Sequence, residues 1–141
     1  MSLKDGIFAY LNADAGLTAL VADRIFPDSA PTSAALPYIT FERTGSEHVR
    51  SFKSASGLAH ARIAFDVWAA TSVSRENVTE ALREAVDSFQ AGTWGSLSVR
   101  LSTLEDESDD FVQPSDASQE GVFRTRHIVR VTYNESIPTF P

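Results

Sequence analysis

The chain has 141 residues and a mass of 15.4 kDa, short enough for one domain and long enough to bury roughly 70% of its unfolded surface. It carries 12 Lys and Arg against 19 Asp and Glu, a net charge of −7 and a pI near 4.8, which argues against a general nucleic-acid coat. It contains no cysteine, which excludes a disulfide framework, a thiolate zinc site, an iron–sulfur cluster and a cysteine nucleophile.

The N-terminal stretch lacks a basic segment followed by a long apolar one, and no window approaches the roughly 18 apolar residues of a membrane span. The chain therefore reads as made and kept in a cytoplasm. Leu3, Ile7, Tyr10 and Leu11 fall at helical spacing, with Ser2 as N-cap, and predict a helix over 3–12. Leu17, Leu20 and Val21 suggest a second short helical turn, and residues 27–37, with three prolines, read as loop. From Tyr38 the period switches to two, with Ile39 and Phe41 on one face. Ile63, Phe65 and Val67 alternate in a second strand that opens near His60.

Residues 45–57 are polar and basic, with His48, Arg50 and Lys53, and read as a hairpin connection. Ser72 or Ser74 caps the best helix pattern, whose stripe runs through Val78, Ala81, Leu82, Ala85, Val86 and Phe89 to a stop at Gly92. Leu97, Val99 and Leu101 predict a third strand, residues 105–121 an acidic loop, and about 122–134 a long last strand. The expected fold is therefore α+β, a four-stranded mainly antiparallel sheet with helices packed on one face. It occupies a single domain over 1–141, with loops at about 45–57 and 105–121 and a loose tail at 135–141.

Catalytic signals are sparse. His48, His60 and His127 have no metal-ligand spacing, and His60 and His127 read as ordinary strand histidines. A phosphate loop, a G-x-S-x-G elbow and a Ser-x-x-Lys pair are missing. The run Glu105, Asp106, Glu107, Asp109 and Asp110 departs from the calcium-loop pattern and reads as a solvated loop. Arg124, Arg126 and Arg130 share one face of the last strand, opposite the apolar one. Acidic loop and basic face suit a pairing between copies of the chain. The enzymatic alternative is a small hydrolase using Asp66 or the acidic run, should Asp66 line a concave pocket.

The order of these pieces carries a resemblance. Leu17-Thr18-Ala19-Leu20-Val21-Ala22-Asp23-Arg24-Ile25-Phe26-Pro27 leads through a proline-containing loop to Ala35-Leu36-Pro37-Tyr38-Ile39-Thr40-Phe41. Then come Arg62-Ile63-Ala64-Phe65-Asp66-Val67-Trp68-Ala69, a Ser-capped helix and the closing strand from Arg124 to Tyr133. Over about residues 3–134 the chain resembles the tail completion, or tail terminator, proteins of long-tailed bacteriophages and prophage-like particles, including gene transfer agents.

The resemblance implies a structural virion protein without catalysis or cofactor. Such a protein forms a ring, typically of six subunits, that caps the tail tube, ends tail growth and offers the head–tail joining surface. It implies as partners further copies of the chain, a tail tube protein and a head–tail connector or stopper. DNA passes the lumen without specific binding, and assembly takes place in the bacterial host cytoplasm. Another neck or head-completion protein is the alternative in the same class. The resemblance transfers no catalytic or metal residue. Interface candidates come from pattern instead: Arg124, Arg126 and Arg130, the acids Glu105, Asp106, Glu107, Asp109 and Asp110, and His48, Arg50 and Lys53.

Overall fold

The computed structural model describes residues 2–50, 55–87, 89–112 and 121–135. Helix α1 (Leu3–Asn12) forms where expected: Leu3, Ile7 and Leu11 are buried on one face, and the Ser2 hydroxyl accepts from the Asp5 amide at 3.1 Å. Helix α2 (Ala15–Val21) is capped by Asp14, which accepts from the Leu17 amide at 3.0 Å, and it buries Leu17 and Val21. Helix α3 (Ser72–Val86) buries Val78, Leu82, Ala85 and Val86. Its cap is Thr71 rather than Ser72 or Ser74, with the Thr71 hydroxyl accepting from the Ser74 amide.

The sheet differs from the expected four strands. It has six: β1 (Ile25–Pro27), β2 (Tyr38–Arg50), β3 (Ala55–Ala69), β4 (Phe89–Trp94), β5 (Leu97–Val112) and β6 (Val122–Asn134), in the order β1-β2-β3-β6-β5-β4. It is mixed, because β1 runs parallel to β2 while every other pair is antiparallel, and it curls into a half-barrel. Two strands are additions. The proline-containing β1 is only three residues long, too short for a period. Strand β4 takes over where the helix was expected to run on: α3 stops at Val86, so Phe89 and Gly92 belong to β4. The turn lies at Gly95, with φ of 64°.

The predicted loops are also largely strand. β2 and β3 together take in the described residues of 45–57, and β5 continues through the acidic run to Val112. A polar strand with solvent on both sides has no apolar alternation, so period-two reasoning passes over it. Residues 51–54 with Lys53, residues 113–120 and the tail beyond Glu135 lie outside the described residues. The register shift between Val99 and Leu101 explains another difference. This bulge reverses the facing of β5, burying Ser102 and leaving Leu101 44% exposed.

The pleat sorts the centre of the sheet. On β3, Ala59, Ala61, Ile63, Phe65, Val67 and Ala69 are buried. They lie opposite Tyr133, Val131, Val129, His127, Thr125 and Phe123 of β6. The core cluster combines this face with the buried faces of α1, α2 and α3. Trp94 is fully buried and stacks on Tyr10 at 4.5 Å. The last carbonyls of α3, left without intrahelical donors, are met by side chains: the Tyr10 hydroxyl donates to Ala85 O and the Ser102 hydroxyl to Val86 O at 2.6 Å.

Gly6 lets α1 approach the β4–β5 turn closely, since a Cβ there would lie 3.0 Å from both the Trp94 carbonyl oxygen and Leu97 Cδ2. Gly6→Val is expected to lower unfolding free energy by about 1–3 kcal/mol through overpacking, read by urea denaturation. Ser102→Ala is expected to cost about 1–2 kcal/mol, because it strands the buried Val86 carbonyl; an unchanged midpoint would show that this carbonyl finds another donor.

Candidate assembly surfaces

The β2–β3 and β5–β6 hairpins turn at opposite ends of the sheet. β6 ends at Asn134 beside Leu58, near the β2–β3 turn, and begins at Val122 beside Val112, near the β5–β6 turn. The helix-free face between them is polar and charged. Tyr38, Thr40 and Glu42 of β2, Asp66 and Trp68 of β3, and Arg124, Arg126 and Arg130 of β6 all fall on it by register.

Most of the charges anticipated as contacts between copies are engaged inside the chain. Arg124 donates to Asp110 Oδ2 at 2.6 Å, and its guanidinium lies over the Trp68 ring at 5.4 Å. Arg126 donates to Glu42 Oε1 at 2.8 Å and lies 3.7 Å from Asp66 Oδ2. Glu105 accepts from Arg62 Nε at 3.2 Å, and Asp106 accepts from the Glu107 amide. Asp109 accepts from the Thr125 hydroxyl at 2.6 Å, with an Arg75 nitrogen 3.9 Å away. His48 Nδ1 meets the Glu135 carboxylate at 2.7 Å.

Arg130 is different. It is exposed, forms no ion pair with a described residue and faces Arg62 directly across the β3–β6 ladder. Both arginines line a cleft of about 340 Å³ with Gly45, Glu47 and His60. Arg50 stands at the end of β2, and Lys53 lies outside the described residues. The sequence reading passed over the acceptor Glu42 and the donor Arg75, and named Asp66 only as a candidate for hydrolysis. Only the cross-strand register could have revealed them.

Asp66 is 7% exposed. Burial raises its pKa above the ordinary carboxylate value, while Arg126 and Arg124 pull it back down; its Oδ1 has no hydrogen-bond partner. It is not in the lining of the clefts of about 340, 440 and 270 Å³. His127 is fully buried on the helix side. Its Nδ1 lies 3.4 Å from the Phe65 carbonyl oxygen and its Nε2 3.7 Å from Glu107 Oε2. Burial lowers its pKa, partly opposed by Glu107, the Phe65 carbonyl, Asp109 and Asp66. Beside it, α3 and β5 frame a cleft of about 270 Å³ lined by Glu76, Thr79, Glu80, Arg83, Glu107 and Asp109.

This arrangement holds charges and hairpins in place; among the described residues, no His, Asp and Glu cluster suited to a metal forms. The sequence profile of the family described as tail completion protein gp17 matches residues 5–129. The chain belongs to the tail completion protein gp17 family. It is accordingly a structural tail protein. The fold is also similar to a chain in the solved structure titled "Virion of native gene transfer agent (GTA) particle". That similarity has a TM-score of 0.75 at 16% identity and covers 94% of this chain and 95% of that one. No individually curated protein matches the sequence.

Two outcomes are expected of this tail completion family member. Arg126→Ala should lower stability by about 1–2 kcal/mol, because it leaves the buried Asp66 carboxylate with less compensation. Adding Asp66→Asn should recover most of the loss in a double-mutant comparison by chemical denaturation. Because His127 binds a proton less readily folded than unfolded, acid below its ordinary pKa of 6.5 weakens folding until the lowered folded pKa is passed. His127→Gln should therefore flatten the fall of melting temperature between about pH 7 and pH 5; an unchanged slope would assign that fall to other groups.

Proposed function

We propose that the protein forms a ring, of six subunits as its family resemblance implies, that caps the completed tail tube and ends its growth. The ring also presents the surface joined by the head. The observation that carries this reading is the family match across most of the chain, and the whole-length fold similarity to a chain of a virion particle supports it. Hairpins turning at opposite ends of one sheet suit a head-to-tail contact, in which different patches of neighbouring copies meet and repetition closes a ring.

The partners under this reading are further copies of the chain, the tail tube protein and a head–tail connector or stopper. The ring sits in the virion at the head–tail junction after assembly in the bacterial cytoplasm. DNA traverses the lumen without specific binding, in keeping with a net charge of −7. The interface candidates remain the basic face and acidic run, above all Arg130, which forms no ion pair with a described residue.

Electron microscopy of a lysate from a producing strain lacking the gene tests the proposal. Overlong tubes beside unattached filled heads are expected. Tails of normal length beside unjoined heads would instead indicate a neck or head-completion role, and normal particles would overturn both.

A further inference from the structure

We propose that neighbouring copies join by strand addition: the outer edge of β2 over residues 42–48 pairs antiparallel with the outer edge of β5 over residues 107–112 of the next copy. The inference rests on the ring reading above and names the two surfaces that meet. β1 covers β2 only at residues 39–41, and β4 covers β5 only at residues 97–102. Beyond them both long strands lack an outer strand partner among the described residues. Such a border is a row of unpaired amide and carbonyl groups, the usual template for an added strand.

The backbone fixes the register. On β2 the Ile39 amide donates to Arg24 O at 3.0 Å and the Phe41 carbonyl accepts from the Asp28 amide at 2.7 Å, both on the outer side. Alternation then turns Arg43 outward and, past the bulge at Thr44, Ser46 and His48. On β5 the Leu104 amide donates to Asp87 Oδ1 at 3.1 Å, away from β6. Past the bulge at Glu105 the outward residues are Glu107, Asp109 and Phe111. The Glu107 amide is accordingly met by the Asp106 carboxylate, at 2.9 Å. One antiparallel register joins the two outward sets, with Arg43 opposite Phe111, Ser46 opposite Asp109 and His48 opposite Glu107. All six lie on the helix side by their own ladders, so the pleats of the two copies stay in step. Val112 then falls opposite Glu42, which keeps the described part of β5 clear of β1.

Side chains select this pairing. Arg43, exposed beside Tyr133, comes against the Phe111 ring, which is 43% exposed. Gly45 comes opposite Asp110. A Cβ at Gly45 would meet nothing within 4 Å, so the way is open from the β2 border to Arg62 and Arg130 in the cleft behind it. Asp110 is held by Arg124 through Oδ2 and offers Oδ1 to these two arginines. Glu47 comes opposite Ser108, so no carboxylate directly opposes another. Pairing β5 with a second β5 would set acid against acid. The two borders lie on opposite sides of one sheet, so a contact between them repeats from copy to copy as a ring requires.

Because the chain lacks cysteine, a disulfide can report the register in the full-length protein. In this pairing Glu47 and Ser108 form a non-hydrogen-bonded pair with Cα atoms about 4.5 Å apart, within disulfide reach. Glu47→Cys and Ser108→Cys, both at exposed positions, are mixed, oxidised mildly and compared with each variant alone. A mixture of Glu47→Cys with Asp106→Cys, displaced by about 7 Å along the strand, serves as the out-of-register control. In parallel, sedimentation of Gly45→Asp, which sets an acid against Asp110 at a position open to solvent, reports self-association, with circular dichroism verifying the fold. The expected result is a disulfide dimer specific to the first mixture, and self-association weakened on the order of tenfold by Gly45→Asp. If the wild type assembles but the first mixture gives no more dimer than its controls, or Gly45→Asp assembles normally, strand addition is wrong while the ring reading stands. Predominant self-linking of Glu47→Cys alone would overturn it in favour of a two-fold contact. If the wild type stays monomeric at the highest concentration and no mixture cross-links, both readings fall.

Discussion

The pairing of β3 with β6 is the constraint on which the remaining structure depends. Its register runs unbroken from Leu58 opposite Asn134 to Ala69 opposite Phe123. Because side chains alternate, one register places Ile63, Phe65, Val67, Val129 and Val131 against the helices, and Arg62, Asp66, Arg124, Arg126 and Arg130 on the opposite face. A slip by a single residue would exchange the two sets, burying arginines and exposing valines, so the hydrophobic core itself holds the charged face in alignment. Arg126 then reaches both Asp66 on β3 and Glu42 on β2, and Arg124 reaches both Trp68 and Asp110.

The same alternation explains which parts could be read from sequence. Helices α1 and α3 and strands β2, β3 and β6 each bury one side, so a period of 3.6 or 2 marks them. The motif pieces behind the family resemblance become neighbours in space. Ile25 pairs with Ile39, Arg24 Nε donates to the Pro37 carbonyl at 3.0 Å, and Trp68 Nε1 donates to the Thr40 hydroxyl at 3.0 Å. What was conspicuous as sequence order is the packed β1–β2–β3 corner.

The polar extensions of β2 and β5 escaped notice because neither of their sides is apolar, and β1 is too short to show any period. The acidic run was visible as charge but not as strand. Its partners were not visible at all, because Glu105 meets an arginine 43 residues away and the Asp110 carbonyl meets one 35 residues away. Charges that look available along a chain can already be committed across a sheet. Arg130 is the informative exception, because its opposite number in the ladder is another arginine. Cross-strand like charges disfavour pairing, and the contact of Arg62 with Glu105 at 3.2 Å offsets part of that cost.

The two outermost strands carry a consequence of their own. β1 has three residues and ends in Pro27, which has no amide proton to offer, and β4 is distorted at Ala91, whose φ is 29°. β1 covers only residues 39–41 of β2 and β4 only residues 97–102 of β5, so the rest of those two long strands has no outer strand partner among the described residues. It is charged side chains such as Glu42, Arg43, Glu47, Glu105, Glu107 and Asp109 that discourage backbone-to-backbone stacking there. A sheet with half of two long strands uncovered needs such protection. A strand added to either edge would have to match those charges, so the ladder is closed to indiscriminate partners while staying open to a complementary one.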